Sequence, residues 1–118
     1  MKLVDTHCHI YGESYKDDLD EVLKRSGETL EFIVNIGYDL WSSETSVELA
    51  DKYSFAYATV GVHPTDISGY TDEVEAKLIK LCGNPKVVAI GEIGLDYYWM
   101  KDPKDIQEIY FRKQMDIA

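Results

Sequence analysis

Basic residues are scarce in this chain. Its 12 lysines and arginines stand against 22 aspartates and glutamates, a formal net charge of −10 at pH 7. No cluster of Lys or Arg stands out, which excludes a broad cationic footprint for nucleic acid or for an anionic membrane. A phosphate-bearing ligand would have to be held locally, by a metal or by backbone N–H groups. Cysteine is as sparse. Cys8 and Cys82 form neither a disulfide framework nor a zinc-ligand spacing, and they point to a reducing, cytoplasmic compartment. Cys82 closes a helical stretch and reads as a packing residue. No signal peptide is expected, because Met1 leads straight into a strand. No apolar run approaches the roughly 20 residues of a membrane span. Internal repeats and low-complexity linkers are also missing.

What is present is a sequence for one folded domain. At 118 residues and 45% hydrophobic content, the chain can build a real core. Strand and helix patterns alternate. Strands are expected at Lys2 to Asp5, Phe32 to Ile36, Phe55 to Val62 and Val87 to Ile90. Between them, helices are expected from Ser14 to Gly27, from Trp41 to Tyr53 and from Asp72 to Leu81. A fourth begins with Asp102 as N-cap and Pro103 at its first position. Alternation of this kind predicts an α/β fold with a parallel sheet. The fourth helix reaches Ala118 without a closing signal, so the chain is expected to be cut rather than finished.

Polar residues and glycines gather after the strands, where parallel α/β proteins place their chemistry. Asp5-Thr6-His7-Cys8-His9 follows the first strand. In extended backbone, alternate side chains share a face, so Asp5, His7 and His9 point one way and Cys8 the other. Two imidazoles so placed can grip one cation, with Asp5 expected to orient them from behind; their other reading is two satisfied, partly buried histidines. Glu92, at the tip of the fourth strand and in phase with Val88 and Ile90, is the matching carboxylate ligand for Zn²⁺, Mn²⁺ or a similar ion; its other reading is a helix cap or ion pair. His63 follows the third strand, sharing a face with Thr59 and Gly61. It reads as a hydrogen-bond donor to a substrate oxygen or as a structural histidine before a proline turn. Asp96 reads as substrate-facing or as a support to the ligands. The aromatics Tyr97-Tyr98-Trp99 read as part of the site or as a simple cover over the sheet's mouth.

Three segments carry a resemblance. Asp5-Thr6-His7-Cys8-His9, Gly61-Val62-His63-Pro64 and Ala89-Ile90-Gly91-Glu92-Ile93-Gly94-Leu95-Asp96-Tyr97 together resemble the TatD family of metal-dependent hydrolases, and Gln107, Phe111 and Gln114 fit its later pattern. The resemblance implies a TIM-type barrel of which this chain, residues 1–118, supplies the N-terminal half, about four βα units. It implies one or two divalent ions (Zn, Mn or Mg) held by His7, His9 and Glu92. It implies hydrolysis of phosphodiesters such as DNA, for which His63 and Asp96, read from their positions, are the candidate substrate-binding residues. Two further histidines and an aspartate of the family's site have no positions here, so the site is expected to be half-built and no catalytic base is assigned. Exposed strand edges predict self-association. The alternatives are an inactive metal-binding half barrel and a structural half-domain that pairs with a second copy or another chain.

Overall fold

A computed structural model describes residues 2–118. Four strands and four helices alternate: β1 (Leu3–Cys8), α1 (Leu19–Thr29), β2 (Leu30–Ile36), α2 (Leu40–Lys52), β3 (Ala56–Val60), α3 (Asp72–Cys82), β4 (Val87–Ile90) and α4 (Lys104–Ile117). The sheet is parallel throughout, in the order β1-β2-β3-β4. This is the parallel α/β sheet that the alternating pattern predicts, and the half barrel that the resemblance implies. No helix among the described residues is long and apolar enough to cross a membrane.

One face of the sheet is sealed. Ile33 of β2, Ala56, Ala58 and Val60 of β3, Leu23 of α1, Val47 and Ala50 of α2 and Leu78 of α3 share one buried cluster. The small alanines let α2 lie close against β3. By alternation, Val34 and Tyr57, which are register partners, lie on the opposite face with Phe32. The Phe32 and Tyr57 rings pack edge to face there, 6.0 Å apart, and both are only half-buried. That second face is the concave inner side of the half barrel.

Local chemistry sets the element ends. Asp39 caps α2 by accepting from the Ser42 N–H (2.8 Å), while the Ser42 hydroxyl accepts from the Asp39 N–H (3.0 Å). Thr71 caps α3 by accepting from the Val74 N–H. Gly83 follows α3 directly as its C-cap, its N–H donating to the Lys80 carbonyl.

Several boundaries differ from expectation. β1 extends to Cys8 instead of stopping at Asp5, because β2 continues to pair with it as far as Asn35. Between Asp5 and Cys8, three steps of β1 oppose two of β2. That bulge breaks strict alternation across Thr6 and His7. A short 3-10 turn (Glu13–Tyr15) occupies the expected start of the first helix, and α1 begins at Leu19. Gly27 does not end α1. A Cβ there would lie 2.9 Å from the Phe55 ring, so this glycine admits a close neighbour rather than a turn. Pro103 is the N-cap of α4, displacing Asp102 from that role.

Candidate metal centre

His7 and His9 leave β1 at the C-terminal end of the sheet, and Glu92 follows β4 at the same end. In a flat sheet, β1 and β4 would stand three ladder spacings apart, about 14 Å. Yet the His7 Nε2 and a Glu92 oxygen are 3.9 Å apart. The curl of the sheet closes the gap. His7 Nε2, His9 Nε2 and a Glu92 carboxylate oxygen all lie within 4.8 Å of one another.

Each ligand candidate is held from behind. The Asp5 carboxylate accepts from the His7 backbone N–H at 3.0 Å, so Asp5 fixes the main chain rather than the imidazole. His9 Nδ1 lies 2.6 Å from the Tyr11 hydroxyl and 3.1 Å from the Ile36 carbonyl. A carbonyl accepts only, so Nδ1 carries the proton and the His9 Nε2 lone pair faces His7. The Tyr11 hydroxyl donates to the same Ile36 carbonyl. Burial, then the neighbouring Tyr38, pushes the Tyr11 phenol above its ordinary range, so it keeps its proton. Behind this pair, the Asn35 side chain accepts from the Ile10 N–H (2.7 Å) and donates to the Ser46 hydroxyl (3.1 Å). It ties the segment after His9 to β2 and α2.

Glu92 does not follow the phase of its strand. Ile90 packs on the helix-side core and Val88 is exposed. The β3–β4 ladder stops at Ile90, and the Glu92 N–H instead donates to the Gly37 carbonyl at 2.6 Å. A Cβ on Gly61 would meet the Gly91 backbone at 2.9 Å, so the tips of β3 and β4 approach closely because Gly61 is bare. The two Glu92 oxygens face different partners: Oε2 faces His7, and Oε1 lies 3.8 Å from His63 Nε2.

His63 is positioned through its main chain, which donates to the Tyr38 carbonyl at 2.7 Å. Its Nδ1 lies 2.7 Å from the Thr65 hydroxyl, which donates to Asp66 at 2.9 Å. Asp96 sits farther out. Its Oδ1 accepts from the Tyr98 and Trp99 N–H groups at 2.9 and 3.0 Å. His63 and Asp96 line one open cleft with Thr65, Trp99 and Lys101. The structure therefore gathers His7, His9 and Glu92, sets His63 beside Glu92, and leaves Asp96 at the rim.

Cys8 faces away, donating to the Val34 carbonyl at 3.3 Å. Burial, then Asp5, lifts its thiol to about 12, so it stays protonated.

Two glutamines of α4 hold the site's loops, a role that sequence pattern alone did not assign. The buried Gln114 amide accepts from the Val62 N–H (2.7 Å) and donates to the Val62 carbonyl (3.0 Å). Gln107 does the same for Asp96 at 2.7 and 3.0 Å, and also donates to the Asp102 carbonyl. Tyr11 and Asn35 were likewise missed. The one signal for Tyr11 is its position two residues past His9.

The donor set suits a divalent cation. Two nitrogens each about 2.0–2.1 Å from a tetrahedral zinc stand about 3.3 Å apart, and the two Nε2 atoms here are 3.2 Å apart. A carboxylate completes an N/N/O set acceptable to Zn²⁺ or Mn²⁺.

Known proteins resemble this chain in sequence and in fold. A family model described as "TatD related DNase" matches residues 4–118. An uncharacterized metal-dependent hydrolase, YabD of Bacillus subtilis, is 45% identical over 117 residues, which are 98% of this chain and 46% of that protein. A "3'-5' ssDNA/RNA exonuclease TatD" of Cronobacter turicensis is 32% identical over 98% of this chain and 44% of its own length. Among solved structures, YJJV, a TatD homolog from Escherichia coli, superposes with a TM-score of 0.86 at 27% identity, covering 98% of this chain and 46% of that one. The chain thus spans about half the length of the curated relatives it matches.

Proposed function

Since the chain belongs to the TatD-related DNase family, we propose that His7, His9 and Glu92 hold a divalent cation, and that this site serves hydrolysis of phosphodiester bonds in single-stranded nucleic acid. The observation that carries the proposal is the convergence of three donor atoms from strands at opposite edges of the sheet. The exonuclease activity for which the Cronobacter relative is named supports the substrate class.

When bound, the cation supplies Lewis-acid polarisation of a phosphoryl oxygen and acidification of water. The chain's own residues do the rest. Tyr11 and the Ile36 carbonyl keep the His9 proton on Nδ1, so Nε2 stays a donor of electrons. Glu92 presents one oxygen toward His7 and one toward His63. His63 stands in the cleft beside Glu92, where it hydrogen-bonds a substrate oxygen, and Asp96 borders the same cleft. We place the protein in the cytoplasm, where Cys8 and Cys82 remain free thiols.

Residues 1–118 are read as the N-terminal four βα units of a barrel that uses eight. The lengths of the relatives and the open sheet support this. A second reading, association through strand edges, rests on β1 and β4. Both lie at the sheet's edges, with Leu3, Val4 and Val88 exposed. Sedimentation reads it directly: a well-folded monomer removes it.

The metal proposal is tested by titrating Mn²⁺ or Zn²⁺ calorimetrically into the chain and into His7→Ala and Glu92→Gln variants. The expected result is one saturable site lost in both variants, with Mn²⁺-dependent trimming of a labelled single strand lost alongside it. Saturable binding unchanged in His7→Ala would sink the assignment.

A further inference from the structure

Beyond the cation site, the loop after Glu92 holds aromatic rings out to solvent. Tyr98 is 84% exposed and Trp99 69%. Burying such rings is strongly favourable, and solvent-facing aromatics on an ordered segment mark contact surfaces. This segment is ordered by named bonds. One Asp96 oxygen accepts from the N–H groups of both residues, and the Gln107 amide pairs with the Asp96 backbone and the Asp102 carbonyl. The two rings meet edge to face, 4.9 Å apart and 88° between planes. Neither ring face is covered by the other's face.

The cleft that Trp99 borders has a volume of about 510 Å³ and runs to His63, which stands beside Glu92. That volume lies in the range of ligand clefts, roughly 300–1,000 Å³. Lys101 lines the same cleft, and Lys104 lies with its ammonium 4.6 Å over the Tyr97 ring. On a chain of net charge −10, Lys101 sets a cation in the same cleft as Trp99 and His63.

We propose that Trp99, with Tyr98 beside it, is a stacking platform for an unpaired nucleobase of a strand whose phosphate is held near His63 and Glu92. This rests on the nuclease reading above and deepens it, because it assigns strand selection to a residue outside the metal ligands. A ring face takes any base, so the platform is indifferent to sequence. In a duplex the base faces are already stacked and are not available to Trp99.

The test is binding of a labelled thymidine hexamer, and of an abasic hexamer with the same phosphates, to the intact chain in EDTA. Trp99→Ala is expected to weaken the thymidine hexamer about 5- to 150-fold, the range of one base–aromatic stack, and to leave the abasic hexamer unchanged. Trp99→Phe restores binding to within a few-fold. Equal loss for both hexamers, or no loss for either, overturns the proposal. So does tryptophan emission that shifts on dilution in a Trp41→Phe background, where Trp99 is the remaining tryptophan, since that marks the ring as a protein contact. EDTA separates this from the metal reading: if Mn²⁺ fails to bind at His7, His9 and Glu92, the difference between the two hexamers still stands or falls by itself.

Discussion

Replacing Gln114 by leucine removes the carboxamide and leaves a shorter, branched apolar side chain. In the native chain this residue is 1% exposed, and its amide meets both main-chain groups of Val62, itself 3% exposed. Leucine leaves the Val62 N–H and carbonyl without partners. Each unsatisfied buried group costs about 1–3 kcal/mol, partly offset by the added apolar burial, for a net loss of about 2–4 kcal/mol. Urea denaturation reads it as a midpoint lowered on the order of 1–2 M at unchanged slope. Gln114→Glu adds a pH signature. The ionised carboxylate still accepts from the Val62 N–H but repels its carbonyl, and burial raises its folded pKa. A raised folded pKa gives stability that is present below the unfolded value and lost as pH rises through the folded one. The glutamate variant should therefore approach wild type in acid and fall away toward neutrality. A leucine variant with an unmoved midpoint would refute the reasoning, since Val62 would then have other partners.

Tyr11→Phe removes one of the two acceptors behind His9 Nδ1 and leaves the Ile36 carbonyl. The expected loss of Mn²⁺ or Zn²⁺ affinity is about tenfold, the low end for such supporting groups, read by calorimetry. Gly27→Ala, normally favourable inside a helix, should instead cost about 1–3 kcal/mol by overpacking against Phe55; a Phe55→Leu background should reverse the sign. Asp20 has its carboxyl lowered by the Tyr53 hydroxyl first and Lys52 second. A lowered folded pKa gives stability above the unfolded value that is lost as pH falls through the folded one. Asp20→Asn should therefore destabilise at pH 7 and leave stability unchanged at pH 2, as urea titrations at both pH values would show.

Much of the architecture was legible because it depends on local pattern. β4 occupies Val87–Ile90 as the apolar run indicates, and α2 lies within a residue of its expected ends. That His7, His9 and Glu92 lie at one end of the sheet was also readable, since parallel strands point their C-terminal ends the same way; the curl that brings the outer strands within reach is not in the local pattern. The details that hold the gathering were not. The β1 bulge arises from pairing with β2, which a single strand's alternation does not encode. Gly27 looks like a helix stop until Phe55, a neighbour only in space, is placed against it. Gln114 and Val62 are 52 positions apart, and no short-range periodicity announces a carboxamide that imitates a paired strand. Asn35 reads as a blemish in an apolar run, but it joins the segment after β1 to β2 and α2.

The outermost strands of an arched sheet supply the donor atoms, and the two inner strands supply none. An ion seated there acts as a string drawn across a bow, so its binding strength reports how far the sheet is bent. Flattening the arch at the Phe32–Tyr57 pair, far from any ligand, would slacken the string. Tightening it with Mn²⁺ should slow amide exchange in β2 and β3, the limbs of the bow.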